Sequence, residues 1–297
     1  MLSVLIPVYN FDIRALVHDL QQKLTEAGIP FEIICFDDGS KENFKQINRN
    51  IALSSYYPIT YFELEQNLGR ARIRNALAAK AQYPYLLFMD CDSKVINSNY
   101  IEYYIEYLRH DTLLYGGRSY APTPPQQPEL YFHWIYGTHR EVKSASERAK
   151  QPYHSFMTNN FLIPKSIFDS IKFDERLTKY GHEDTLFGLE LQKHNIKILH
   201  LDNPLEHIGL EEVNIFLEKT QQGIQNLAEL VKEHPDLDTT LIKTWKYLQK
   251  WYLTGFVYFI LQLILPFIQW NLKSGNPSLK LFDLYKLSLL IQEMKKK

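Results

Sequence analysis

Residues 83–92, Tyr-Pro-Tyr-Leu-Leu-Phe-Met-Asp-Cys-Asp, constrain this chain more than any other stretch. Leu86, Leu87, Phe88 and Met89 form a short unbroken apolar run, the pattern of a strand buried on both faces. The run stops at Asp90 and Asp92, two carboxylates spaced i, i+2. In a parallel sheet, ligands gather beyond the carboxyl ends of strands. Two acids placed there would be costly to bury unpaired. A hard divalent cation, Mg²⁺ or Mn²⁺, relieves that cost with one or two carboxylates plus phosphate oxygens. A strand-end Asp that simply caps a turn is the structural alternative.

The flanking sequence supports a parallel sheet. An apolar strand runs from Ser3 to Pro7, and Ile13, Leu16, Val17, Leu20 and Leu24 have helix spacing within 12–27. Gly28-Ile29-Pro30 ends that helix. A second strand over 31–36 breaks at Asp37-Asp38-Gly39-Ser40. Then follow a helix over 41–54, a strand over 59–64, a loop at Asn67-Leu68-Gly69 and a helix over 70–81. Strands alternating with helices predict βαβ units with right-handed crossovers. The spacing further predicts a helix over 100–109, a strand over 113–117 and a proline-rich loop over 122–128. Beyond these come a mixed polar and aromatic segment over 131–150, a strand over 156–163, a loop over 174–181, a helix over 185–194 and a strand over 196–201.

The tail differs in character. Helical patterns cover 211–233 and 239–270, and residues 232–297 hold ten Lys against five Asp or Glu, a difference of +5. With a net charge of -1 for the chain, the remainder sums to about -6, so no overall basic footprint for nucleic acid exists. Residues 251–270 approach the length of a bilayer span but are interrupted by Gln262, Pro266 and Gln269. A basic, aromatic helical tail suits peripheral contact with an anionic membrane face. A packed lid and a true span are the alternatives. The expected division is a catalytic domain over 1–210, with a nucleotide-binding half (1–100) and an acceptor half (101–210), and a helical region over 211–297. Cys35 and Cys91 lie in or beside strands and read as core residues in a reducing compartment. Met1 is followed almost at once by a strand, without a signal-peptide pattern, so the expected location is the cytoplasm, at most at the inner face of the cell membrane.

Five motifs occur in order: Ser3-Val-Leu-Ile-Pro-Val-Tyr-Asn10, Asp37-Asp38-Gly39-Ser40, Asn67-Leu-Gly-Arg-Ala-Arg-Ile-Arg-Asn75, Asp90-Cys-Asp92 and Gly181-His-Glu-Asp184. Together they resemble the family-2 glycosyltransferases, the inverting, nucleotide-sugar-dependent group. The resemblance covers about residues 1–210. It implies the GT-A fold, a mixed, mostly parallel sheet flanked by helices with a Rossmann-like nucleotide-binding half; the chain adds a C-terminal helical appendage. It implies a nucleotide-diphosphate sugar donor, a UDP-sugar first among them, and a glycan or lipid-linked acceptor.

By that resemblance Pro7, Val8, Tyr9 and Asn10 cradle the nucleobase, and Asp38 accepts a hydrogen bond from uracil or ribose. Gly69 lets backbone come close, and Arg70 and Arg74, one helical turn apart, serve the base or diphosphate. Asp90 contacts ribose or the metal and its water, Asp92 binds Mn²⁺ or Mg²⁺, and His207 is a candidate third ligand. Asp184 is the general base and Glu183 supports it. Gly116-Gly117 and Asn159-Asn160 are expected to line the donor sugar. Two other functions compete. A nucleotidyltransferase would need a glycine-rich phosphate loop after the first strand, where Ile6-Pro-Val-Tyr-Asn10 stands; a catalytically degenerate scaffold would not need both acidic pairs. A dinucleotide-binding dehydrogenase is disfavoured, because no G-x-G-x-x-G follows the first strand. No Gln-x-x-Arg-Trp follows the second acidic pair, which predicts addition of single sugars.

Overall fold

The computed structural model describes residues 1–53, 58–176, 181–235, 237 and 239–296. Position 54 of the expected second helix and positions 177–180 of the expected loop lie outside them. The chain forms two compact units. The first comprises Met1–Ala121, Arg140–Thr178 and Glu183–Gly209; the second comprises Pro122–His139, Lys179–His182 and Leu210–Lys297. The second unit thus takes in two segments from the middle of the chain, where a single cut at 210 was expected.

Among the described residues the first unit is built on ten strands: β1 (Leu2–Val8), β2 (Phe31–Asp37), β3 (Ile59–Glu63), β4 (Tyr85–Met89), β5 (Ser93–Val95), β6 (Thr112–Tyr115), β7 (Arg118–Ser119), β8 (Asn160–Pro164), β9 (Lys197–His200) and β10 (Leu205–His207). Seven of them form one sheet in the order β3-β2-β1-β4-β8-β6-β9. All its pairings are parallel except those of β8, which runs against both β4 and β6. Alternation along the strands explains why both sheet faces are covered. Val4, Ile33, Cys35, Leu87 and Met89 enter one core, while Leu5, Ile34, Phe36, Leu86 and Phe88 enter the other. Helices Arg14–Glu26 and Arg70–Lys80 supply the covering layers through Leu16, Leu20 and Leu24 and through Ile73 and Leu77.

In the first unit the helix expected over 100–109 ends at Glu106, and two further features differ from expectation. The strand expected over 156–163 begins only at Asn160, because Phe156 turns into the core beside Phe161 and Tyr115 before pairing starts. A second sheet, β5-β10-β7, has strands of two or three residues, too short for any periodicity to mark. It joins the segment just past Asp92 to His207 in antiparallel register, with His207 opposite Ser93.

The second unit is helical: Val213–Glu233, Thr240–Lys250, Thr254–Leu272 and Leu279–Lys295, with Tyr131–Tyr136 from the middle of the chain. Phe132 explains that recruitment, since its ring packs 5.1 Å from Phe282 and 5.5 Å from Phe216. The single helix expected over 239–270 is instead two. Tyr252 takes a left-handed φ of 56° between them, a conformation no helix interior accepts.

Candidate active site

The site begins where the parallel strands end. β1 and β2 stop side by side, Val8 opposite Asp37. Asp37 then ties its own turn: Oδ1 accepts from Ser40 N–H at 2.7 Å and Oδ2 from the Tyr61 hydroxyl at 2.8 Å. Asn10 locks the β1 exit to the same turn, donating its N–H to Ser40 Oγ and accepting from Lys41 N–H, both at 2.8 Å. These bonds hold Pro7 half-buried, Val8 buried, and leave Tyr9 54% exposed at the rim. Gly39 is required in the turn. Its φ is 76°, and a Cβ there would stand 3.1 Å from Asn67 N.

Asp38 does work that its sequence neighbourhood does not suggest. Gly69 precedes helix Arg70–Lys80 with no capping side chain of its own. Asp38 Oδ1 accepts from Leu68 N–H at 2.6 Å and Oδ2 from Gly69 N–H at 3.2 Å, so it satisfies donors of that helix start from 30 residues away. Burial pushes its pKa up, against the pull of those two amides. Each oxygen retains a lone pair for a ligand donor.

Arg70 and Arg74 lie one turn apart, as the spacing predicts, but each guanidinium has a carboxylate partner in the protein. Arg70 Nη1 is 2.7 Å from Glu183 Oε1. Arg74 is buried and donates from Nη2 to Asp90 Oδ1 at 2.7 Å. The other Asp90 oxygen faces Arg118 Nη2 at 3.3 Å, and Arg118 Nη1 reaches Glu141 Oε2 at 3.1 Å. Arg118 and Glu141 belong to no motif, and the sequence reading missed them. A lone Arg right after Gly116-Gly117 was the available signal.

Asp92 sits differently. Its Oδ1 is buried and makes no hydrogen bond; His207 Nδ1 lies 3.4 Å from it. Burial opposes the charge on Asp92, but His207, Arg118 and Arg70 outweigh it and hold the carboxyl well below its usual range. The His207 ring is steadied by the edge of Tyr120 at 5.3 Å, and Ile208 N–H donates to Asp92 O at 2.9 Å. Gly209 makes room for the pair, since a Cβ there would fall 2.5 Å from Asp92 Oδ2. A buried carboxylate oxygen without a hydrogen bond, beside an imidazole nitrogen, fits a divalent cation, and the nitrogen donor suits Mn²⁺ better than Mg²⁺. Asp90, engaged by two guanidiniums, does not join them: among the described residues no three His, Cys, Asp or Glu side chains are grouped to hold a metal.

The second acidic pair opens helix Glu183–Lys193. Burial opposes the charge of Glu183, but Arg70 and Arg74 hold its pKa below the usual carboxylate range. Asp184 goes the other way, pushed up to about 6 by burial and by the negative Glu183, although Thr185 N–H donates to its Oδ1 at 2.8 Å. Two adjacent carboxylates are thereby driven apart, one fixed as an anion and one able to take a proton near neutrality.

The residues expected to line the donor sugar are structural. Asn160 is fully buried: Oδ1 accepts from the Tyr100 and Tyr104 hydroxyls at 2.6 and 2.7 Å, and Nδ2 donates to Gly117 O and Asn203 O at 3.0 and 2.9 Å. Its polar capacity is spent. Asn159 donates to Gly117 O at 3.4 Å and accepts from the Tyr115 hydroxyl. Gly116 and Gly117 leave space for Tyr104 and for the buried Arg148 guanidinium, which donates to Gly116 O and Leu201 O.

Residues 3–171, more than half of the chain, match the model of glycosyl transferase family 2. The teichoic acid poly(glycerol phosphate) polymerase of Staphylococcus epidermidis is 25% identical over 233 residues, 72% of this chain and 30% of that protein. A chondroitin synthase of Escherichia coli is 28% identical over 224 residues, 65% of this chain and 32% of that protein. The chain therefore spans about a third of the length of these two relatives. An uncharacterised glycosyltransferase of Haemophilus influenzae is 24% identical, covering 75% of this chain and 85% of its own length. Among solved structures, the mannosyltransferase PcManGT of Pyrobaculum calidifontis, in complex with GDP-Man and Mn²⁺, aligns with a TM-score of 0.52 at 12% identity, over 78% of this chain and 64% of that one. Residues 1–349 of S. aureus TarS align at 0.51 and 16% identity, over 99% of this chain and 88% of that one. The mixed, mostly parallel sheet with flanking helices matches the GT-A fold of those structures. Five motifs in order along the chain, under a family model that spans most of the sheet, lead to one conclusion: the chain belongs to glycosyl transferase family 2.

Proposed function

We propose that the protein transfers one hexosyl or N-acetylhexosaminyl unit, with inversion, from a nucleotide-diphosphate sugar to a glycan or lipid-linked acceptor. UDP is the favoured donor nucleotide. The observation that carries this reading is the split acidic pair: Glu183 is neutralised by Arg70 at 2.7 Å, and beside it Asp184 is poised at about 6. Asp184 takes the acceptor hydroxyl proton while that oxygen attacks the anomeric carbon, and the bond from that carbon to the diphosphate oxygen breaks on the opposite face. The electron pair leaves with the diphosphate. No covalent sugar–enzyme bond is needed.

Tyr9, Asn10 and Asp38 would hold the base and ribose, with Pro7, Val8 and Gly69 shaping the turn beside them. Asp92 and His207 would hold Mn²⁺, which supplies Lewis-acid stabilisation of the departing diphosphate. Asp90 acts through Arg74 and Arg118, fixing the end of β4. Arg70 keeps Glu183 ionised. The names of the two larger relatives, a polymerase and a synthase, support a polymer-building setting. Nucleotide-sugar chemistry and two free cysteines support a cytoplasmic enzyme, and the basic tail supports work at the inner membrane face.

Incubation with Mn²⁺, a panel of UDP-sugars and oligosaccharide or lipid-phosphate acceptors tests the reading. The product's anomeric configuration, read by NMR, is expected to be opposite to the donor's. Asp184→Asn is expected to lower the rate by roughly 10²–10⁴-fold. A retained configuration, or full activity in Asp184→Asn, would overturn it.

A further inference from the structure

Helix Thr254–Leu272 is apolar over most of its surface, yet only one side of it is packed. Leu261 joins Leu287 and Ile291 in one cluster, and Ile268 and Leu272 join Phe282 and Tyr285 in another. Gln262, which interrupts the apolar run in the sequence, turns inward and donates to Ser288 Oγ at 3.0 Å. The outward side is therefore purer than the sequence suggests. Phe256, Phe259, Leu263, Phe267 and Trp270 are each more than half exposed, and Ile260 is 40% exposed among them. Their spacing of three and four residues puts them on one face. An unbroken surface of this kind marks an interaction site.

Charge identifies what covers it. From 239 to 282 the chain carries five lysines (243, 246, 250, 273 and 280) and no Asp or Glu. Tyr247, Trp251 and Tyr252 crowd one end of the stripe and Trp270 stands at the other, all exposed. Aromatic rings at the ends of an apolar stripe and lysines beside it are the pattern of a helix lying in a lipid headgroup layer. A span is excluded by the neighbouring helix. Leu279–Lys295 packs along the inner side, and its charges at 280, 283, 286, 293 and 295 leave residues 287–292 as its longest uncharged run. Six residues rise about 9 Å, against a hydrocarbon core of about 30 Å.

We propose that this face of helix Thr254–Leu272 lies in the plane of an anionic bilayer, with Phe256, Phe259, Leu263, Phe267 and Trp270 among the lipid chains and the surrounding lysines at the headgroups. The inference rests on the membrane-face location proposed above and names its contact surface. Its test needs no substrate, so its failure leaves the transfer reading standing.

The full chain is sedimented with large unilamellar vesicles of phosphatidylcholine alone or with 30 mol% phosphatidylglycerol. Binding to the anionic vesicles is expected to be at least roughly tenfold tighter and to weaken in 0.5 M salt. The double variant Phe259→Glu/Phe267→Glu is expected to abolish it while keeping the wild-type circular dichroism and melting curve, because both side chains are exposed. No preference for the anionic vesicles, or binding that survives in the double variant, would overturn the proposal. So would a stable dimer in light scattering that the double variant dissociates, since a second copy would then own this face.

Discussion

Arg70 Nη1 stands 2.7 Å from Glu183 Oε1, and this ion pair decides what the next residue, Asp184, can do. Burial, with the Glu183 anion beside it, pushes the Asp184 pKa up to about 6. A base must be deprotonated to act. The kcat/KM profile is therefore expected to rise with pH through about 6 and to level above it, read from initial rates between pH 4.5 and 8.5.

Removing Arg70 should move that limb. Its positive charge lowers the Asp184 pKa and partners a Glu183 that is buried. In Arg70→Met the acid limb is expected to shift to higher pH. The fold should lose on the order of 1 kcal/mol by urea unfolding, a modest figure because Arg70 is itself 44% exposed and water screens the pair.

Asp184 also predicts a stability trade. Its folded pKa of about 6 exceeds the ordinary 3.8, so its favourable contribution is complete below pH 3.8 and is lost as pH rises through 6. Above pH 6 the folded protein carries a half-buried, disfavoured carboxylate that Asn lacks. Asp184→Asn is expected to be more stable than wild type at pH 7.5, by roughly 2–3 kcal/mol at most. The difference should vanish near pH 3.5. Melting curves at the two pH values check the sign.

Asn160 carries a different kind of prediction. Asn160→Ala would strand the Tyr100 and Tyr104 hydroxyls and two carbonyls in the core. A loss of about 3 kcal/mol or more is expected by chemical denaturation, with nucleotide affinity unchanged in the fraction that folds.

What could be read from the residues alone follows from where the information lies. The strand ending at Asp90-Cys91-Asp92 was legible because an apolar run and a charge stop are local. The same holds for Asp37-Asp38-Gly39-Ser40 and for the Arg70 helix. Asp38's role at the start of that helix was not, since its partners Leu68 and Gly69 are 30 residues away. Arg118 meets Asp90, and Glu141 meets Arg118, only through folding, and the short strand bearing His207 has no period to detect. The break at Tyr252 was hidden because apolar spacing continues across it, while the helix from Leu279 followed a visible Pro277-Ser278 start that the sequence reading passed over.

Gly209→Ala separates the metal pair from the fold. A Cβ 2.5 Å from Asp92 Oδ2 must displace that carboxylate. Mn²⁺ affinity, measured by calorimetry in the presence of nucleotide, is expected to fall at least roughly tenfold, the scale of damage to a ligand's support.

The most direct single measurement is the thermal shift of the wild type, Asp92→Asn and Asp184→Asn with UDP, GDP, CMP or dTDP, each with and without Mn²⁺. A ligand at about 100 times its Kd adds roughly 2.7 kcal/mol to the folded state. One nucleotide, UDP foremost, is expected to raise the melting temperature only when Mn²⁺ is present. That shift should disappear in Asp92→Asn and persist in Asp184→Asn. A folded protein that no nucleotide stabilises, with or without Mn²⁺, would contradict the account.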